Sequence, residues 1–222
     1  MYDATEFEKI LRRKGGFVLA RETEYVVFDV ETTGLSPLEG DRILELAAAR
    51  VKGGQIVETL ESFINPQREI PSQAQAVHNI TPEMVAGAPV SLEFLPKFVN
   101  FVGGACLCGQ NVKFDMDFVC YEMSLAGQKL RDETPAIDTI KLAKYFLPHL
   151  ASYRLGGIAK ALGIKVGTTH RALADVKLTV QVLNRLLMIA EEQGFSKFRD
   201  ILREFGVQKP SFKFNQHQST LF

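Results

Sequence analysis

Asp29 and Glu31 stand one residue apart at the end of the apolar run Tyr25-Val26-Val27-Phe28. Such a run reads as a buried β-strand. Side chains along a strand alternate faces, so the two carboxylates point the same way, with Cα atoms roughly 6.5 Å apart. Two carboxylates converging away from water repel each other and are costly to bury, and a cation relieves both problems. Thr32-Thr33-Gly34 then breaks the strand, and Gly34 permits a tight turn beside the acids. Taken alone, the stretch reads equally well as a strand-end turn with solvated acids. Two further acids and a histidine also stand at element boundaries: Asp115 at a helix start, His170 just ahead of a helix, and Asp175 in that helix's first turns. On one continuous helix His170 and Asp175 would lie about 140° apart. They share a site only if His170 belongs to the preceding loop, as the β-branched pair Thr168-Thr169 suggests. Asp115 and Asp117 are separated by about 200° on a helix and cannot serve one site. Hard oxygen ligands without cysteine suit Mg²⁺ or Mn²⁺ rather than zinc.

The elements that must position these groups follow from periodicity and punctuation. Residues 3–14 carry Phe7, Ile10 and Leu11 at helical spacing, with Thr5 and Glu8 as a capping box and Gly15-Gly16 as the stop. This helix is expected to form a small N-terminal extension, 1–24, on a main domain, 25–193. Strands are expected at 25–30, 43–51 and 55–64, the last two joined by Gly53-Gly54 as a hairpin. Short helices and turns fill 71–88, where His78 sits; a lone histidine there is ordinarily a packed or capping residue. A helix over 91–102 presents Leu92, Leu95, Phe98, Val99 and Val102. A short buried strand, 105–109, leads to Asn111 as N-cap of a helix to about 126, with Phe114, Phe118, Tyr121 and Leu125 as its stripe. Further helices are expected over 136–147 with Asp138 as N-cap, over 155–162, over 172–192 with Val176, Val180, Leu183 and Leu187 buried, and over 195–205. The C-terminal helix is bounded at 194–206, and the polar tail, 207–222, reads as disordered.

Composition narrows the class. The 222 residues are 46% hydrophobic and 23% charged, the proportions of an ordinary globular protein. Lys+Arg and Asp+Glu are both 26, so no global charge draws the chain to a polyanion, and a metal or a partner must supply much of any attraction to nucleic acid. Cys106, Cys108 and Cys120 form neither a disulfide framework nor a zinc cluster; they read as buried thiols suited to a reducing cytoplasm. No apolar run approaches a membrane span, and the start lacks a secretory pattern.

The motifs together amount to a resemblance. Phe28-Asp29-Val30-Glu31-Thr32-Thr33-Gly34, Asn111-Val112-Lys113-Phe114-Asp115 and His170-Arg171-Ala172-Leu173-Ala174-Asp175 resemble, in order and spacing, the three motifs of the DEDDh exonucleases. Residues 25 to about 190 are similar to the proofreading 3′→5′ exonuclease (epsilon) subunits of bacterial DNA polymerase III. Many relatives have histidine where this chain has Gln110, a position that is not a metal ligand. The resemblance implies an α/β ribonuclease H-like fold, a mixed five-stranded sheet with its first three strands antiparallel and helices on both faces. It implies two divalent ions, Mg²⁺ or Mn²⁺: Asp29 bridging both, Glu31 and Asp175 completing the nucleophile-side site, and Asp115 holding the second. His170 would be the general base; Thr32, Leu35, Phe114, Asn111 and His78 would contact the substrate.

Gln218-Ser219-Thr220-Leu221-Phe222 resembles the bacterial sliding-clamp-binding pentapeptide, with Gln218, Leu221 and Phe222 as its anchors. A tethered enzyme gains effective concentration at its substrate, which would offset a neutral surface. The leading expectation is a metal-dependent 3′→5′ DNA exonuclease acting on DNA 3′ ends, proofreading or repair-associated, nucleoid-associated in the cytoplasm, with a polymerase subunit as a further partner. The alternatives are an RNA-trimming enzyme of the same family and a non-catalytic replication adaptor.

Overall fold

The structure is a computed structural model that describes residues 18–167 and 171–212. The expected N-terminal helix, Thr168, Thr169, His170 and the clamp-like peptide with Gln218, Leu221 and Phe222 lie outside the described residues.

Five strands form one sheet: β1 (Tyr25–Thr32), β2 (Ile43–Lys52), β3 (Gln55–Phe63), β4 (Cys106–Gly109) and β5 (Ala136–Asp138). Their order is β3-β2-β1-β4-β5. The first three are antiparallel neighbours, whereas β4 pairs parallel with both β1 and β5. Two positive-φ glycines, Gly53 and Gly54, close the β2–β3 hairpin. Parallel pairing demands helical crossovers. Helices α1 (Ser72–His78), α2 (Pro82–Val85) and α3 (Ser91–Val102) lead to β4; α4 (Val112–Leu125) leads on to β5. Helices α5 (Thr139–Phe146), α6 (Leu155–Ala161), α7 (Ala172–Glu192) and α8 (Phe198–Phe205) follow. This is the mixed, helix-flanked sheet that was expected.

Alternation along the strands divides the core between the two faces. Tyr25, Val27, Ala47, Ala49, Cys106 and Cys108 pack with α5, α7 and α8 on one face. Val26, Phe28, Val30, Leu46, Ala48 and Leu107 pack with α3 and α4 on the other. The small side chains of Ala47 and Ala49 let α7 lie close over the centre, where its expected stripe, Val176, Val180, Leu183 and Leu187, is buried. Each such side chain contributes about 1.5–3 kcal/mol by leaving water. The three cysteines are free and buried.

Four local expectations are corrected. Ala136–Asp138 is a strand, with its backbone committed to β4 and the helix beginning only at Thr139; Asp138 still caps that helix by accepting the Ile140 N–H at 2.8 Å. The last helix starts at Phe198 rather than 195, because Lys197 is extended and bridges Leu19. Asn111 precedes α4 in a left-handed conformation, φ 62°, and its side chain makes no cap. On α4 the buried residues are Val112, Asp115, Met116, Phe118, Val119, Cys120, Glu122 and Met123; Phe118 of the expected stripe is among them, while Phe114, Tyr121 and Leu125 are half-buried. Two of those eight positions are acids.

Candidate active site

The strand face that carries Tyr25 and Val27 continues into Asp29 and Glu31, so one side of β1 is apolar at its start and acidic at its end. The register sets Asp29 opposite Ala47 and Glu31 opposite Glu45. A register shift between Glu31 and Thr32 marks a bulge where the acids end, the kind of irregularity that re-aims side chains. Helix α7 starts over this acidic end and brings Asp175 down in its first turn. Carboxylate oxygens of Asp29, Glu31 and Asp175 lie within 4.8 Å of one another, each residue half-buried. Three hard oxygen donors converging from two elements fit a divalent cation of the Mg²⁺ or Mn²⁺ kind.

Asp115 reaches the same strand from the opposite helix layer. Its Oδ1 accepts the backbone N–H of Val30 at 3.0 Å, between the two acids of β1, and it is 2% exposed. Asp117, on the other side of α4, is turned to Lys113 at 2.6 Å. The turn ahead of α4 is held by Asp138, whose Oδ1 accepts the Asn111 N–H at 3.1 Å.

The electrostatics are those of an overcrowded acidic site. Burial, then the charges of Asp115, Glu31 and Asp175, raise the Asp29 carboxyl well above its usual range. Burial, then Asp175 and Glu45, push Glu31 up to about 7, against the opposing pull of Arg171. Burial also raises Asp115, although the Val30 N–H works in the other direction.

The residues expected to contact substrate differ in exposure and bonding. Thr32 is buried, and its hydroxyl donates to the Gly34 carbonyl at 2.6 Å, bracing the turn. Leu35, beyond that turn, is 85% exposed. The turn itself is tied by Asp41, which accepts from the Thr33 hydroxyl and the Ser36 N–H, each at 3.1 Å. It leaves no room for a side chain at Gly34, where a Cβ would stand 2.3 Å from Asp41 Oδ2. Phe114 is half-buried with its ring 5.1 Å from that of Phe118. Asn111 is exposed at the head of α4. His78 is 2% exposed, and its Nδ1 accepts the Ile80 N–H at 3.0 Å. His170 lies outside them.

Two ion pairs with a buried carboxylate escaped the sequence reading, and both involve the start of β2, at Arg42 just ahead of it and at Glu45 within it. Arg42 forks onto Glu122 of α4 at 2.8 and 2.6 Å, and Glu122 also accepts the Ile43 N–H. Glu45 receives a fork from Arg171 at the head of α7. Each had a signal. Glu122 lies seven residues after Asp115, two helical turns, hence on the same face. Glu45 shares its strand parity with the alanines facing α7, inside an otherwise apolar run.

Comparison with known proteins fits this arrangement. Residues 26–183 match the exonuclease family RNase_T. A DNA polymerase III PolC-type protein of Clostridium perfringens is 40% identical over 162 residues, 73% of this chain and 11% of that protein. A DNA polymerase III subunit epsilon-like protein of Rhodobacter capsulatus is 35% identical over 203 residues, 88% of this chain and 29% of that protein. The chain therefore spans less than a third of either relative's length. Among solved structures, Exonuclease X in complex with 5′-overhanging duplex DNA is 27% identical, covers 80% of this chain and 97% of its own, and superposes with a TM-score of 0.63. With the family match running through most of its length, and the acidic cluster inside the matched region, the chain belongs to the RNase_T exonuclease family.

Proposed function

We propose that the chain is a divalent-metal-dependent 3′→5′ DNA exonuclease of the DEDDh type, releasing nucleoside monophosphates in a proofreading or repair setting. The observation that carries this reading is the convergence of Asp29, Glu31 and Asp175 within 4.8 Å, with Asp115 bonded to the strand between the first two. These four acids would hold two divalent ions. When bound, such ions neutralise charge on the attacking and leaving oxygens of an in-line phosphodiester displacement.

The chain's own groups then have distinct tasks. Asp29 and Glu31, fixed by the central strand, and Asp175, fixed by the head of α7, present the oxygen donors without rearrangement. His170, two residues ahead of α7, would take the proton of the attacking water, a task suited to a histidine near neutral pH. The water oxygen would bond to phosphorus as the bond to the 3′ oxygen of the penultimate nucleotide breaks, releasing a nucleoside 5′-monophosphate and leaving that 3′ oxygen, protonated from solvent, as the new chain end. Leu35, exposed on the braced turn, offers an apolar surface to the terminal base, with Thr32 and Gly34 holding that turn in place. Asn111, exposed at the head of α4, and the half-buried Phe114 would be further substrate contacts, whereas His78, 2% exposed, has no surface to offer one.

The replication setting is supported by the relatives' names and by the resemblance of Gln218, Leu221 and Phe222 to a clamp-binding peptide. A sliding clamp and a polymerase subunit are the partners proposed on that basis. The sugar preference and polarity are tested by degrading matched 5′-labelled single-stranded DNA and RNA with Mg²⁺ and with Mn²⁺. DNA should shorten stepwise from its 3′ end faster than RNA. Faster RNA loss would transfer the reading to an end-trimming ribonuclease, and immediate release of the label as a mononucleotide would refute the polarity.

A further inference from the structure

Glu45 is the carboxylate at the acidic end of the sheet that the cluster of Asp29, Glu31 and Asp175 leaves out. It stands opposite Glu31 across the β1–β2 pair and is 4% exposed. Both of its oxygens are committed to donors of the protein. Oε1 accepts from Arg171 Nη2 at 2.9 Å; Oε2 accepts from Arg171 Nε at 3.3 Å and from the Ala172 N–H at 3.1 Å. A carboxylate bonded in this way is turned toward the helix rather than toward the cluster. Ala172 is the first residue of α7, and Asp175 follows three residues later in the same turn. Any slide or rotation of the helix start is therefore passed on to the Asp175 carboxylate. Arg171 is held from a second side, its guanidinium 5.2 Å from the centre of the Phe63 ring at the end of β3. The clamp thus joins β2, β3 and the head of α7 at the point where Asp175 meets the two acids of β1. Its charges suit the place: an anion is favoured at a helix N-terminus, and the forked guanidinium balances Glu45 beside a site already crowded with acids.

We propose that Glu45 is a positioning residue for the exonuclease reaction: through Arg171 and Ala172 it sets the register of α7 at which Asp175 completes the cluster. This rests on the reading of Asp29, Glu31 and Asp175 as the metal-binding site. The test uses the full chain with Glu45→Gln, Arg171→Met, the two combined, and Asp29→Ala. The readouts are kcat and KM on a short single-stranded oligonucleotide, Mn²⁺ binding without nucleic acid, and a thermal melt. Groups that orient metal ligands typically change activity or metal affinity by about 10–100-fold. Glu45→Gln should accordingly lower kcat at least about tenfold and weaken Mn²⁺ binding by several-fold, with KM nearly unchanged. Because the two residues act through one contact, the double variant should be no worse than the worse single variant.

A Glu45→Gln protein with parental kcat and Mn²⁺ affinity, or losses that simply add in the double variant, would overturn the positioning role. If Glu45→Gln melts out, the double variant Glu45→Gln with Arg171→Met carries the same two readouts, since it removes both charges and leaves neither buried without its partner. Asp29→Ala separates the two levels. An inactive Asp29→Ala beside an unimpaired Glu45→Gln refutes positioning alone, whereas an active Asp29→Ala refutes the site and the positioning role with it.

Discussion

At the scale of single residues, Glu31 sets a sign for pH dependence. Its carboxyl is pushed up to about 7, mainly by burial and then by Asp175 and Glu45. A carboxyl raised in the folded state favours folding while it is protonated, and that contribution is lost as pH rises through the folded value. The metal-free protein should therefore melt lower at about pH 8 than at about pH 6, and Mn²⁺ should raise the melting temperature more at the higher pH, where the acids are ionised. Melts in chelator and in Mn²⁺ at both pH values measure this; equal or greater stabilisation at the acid pH would contradict it. The acids concerned were legible because strand alternation alone puts Asp29 and Glu31 on one face, and the spacing of the motifs adds Asp115 and Asp175. Glu45 and Glu122 carried only a facing signal, by strand parity and helix spacing, and their partners Arg171 and Arg42 emerge only once the elements are packed. The state of Thr32 was equally hidden, since its hydroxyl bonds within the turn.

At the scale of elements, the start of β2 is the common anchor of the two helices that carry Asp115 and Asp175. Arg42 ties it to α4 through Glu122, and Glu45 ties it to α7 through Arg171. The Arg42–Glu122 pair is nearly dry, with side chains 12% and 0% exposed. Removing one partner of a buried pair leaves an uncompensated charge and costs about 3–5 kcal/mol. Glu122→Ala should thus lower the melting temperature by about 10 °C in a chain of this size. The exposed Lys129–Asp132 pair provides the contrast, because breaking a solvated pair costs at most about 1 kcal/mol. A small shift for Glu122→Ala would deny the anchor its importance. The elements that escaped the sequence reading were those made by partners distant in the chain. Three residues, Ala136–Asp138, are too few to show alternation and become a strand only beside β4. The corrected face of α4 turns on Asp115 and Glu122, which a hydrophobic stripe does not count.

At the scale of the whole molecule, the fold class was the most legible feature. The long buried runs, the Gly53-Gly54 hairpin and the stripe of α7 all point to one helix-flanked sheet, and its mixed, five-stranded character is what the family resemblance implies; the strand order itself comes from the structure. The balance of 26 basic and 26 acidic residues supplies no global attraction to a polyanion, a gap that the proposed tethering by the C-terminal peptide would fill. Deleting residues 218–222 should therefore weaken binding to a bacterial sliding clamp while leaving the rate on short oligonucleotides unchanged. Surface-binding kinetics with the clamp, paired with a gel assay of degradation, measure both, and unchanged clamp affinity would remove the tail's proposed role. Among the described residues no helix is long and apolar enough to cross a membrane. The central claim is that the carboxylates at the end of β1 perform the hydrolysis. It is tested most directly by Asp29→Ala combined with Glu31→Ala, assayed on 5′-labelled single-stranded DNA with Mn²⁺ after circular dichroism has shown the fold intact. The predicted result is a folded protein whose metal-dependent 3′-end degradation has fallen by at least about a thousandfold; a folded double variant that still degrades DNA at the parental rate would contradict the account.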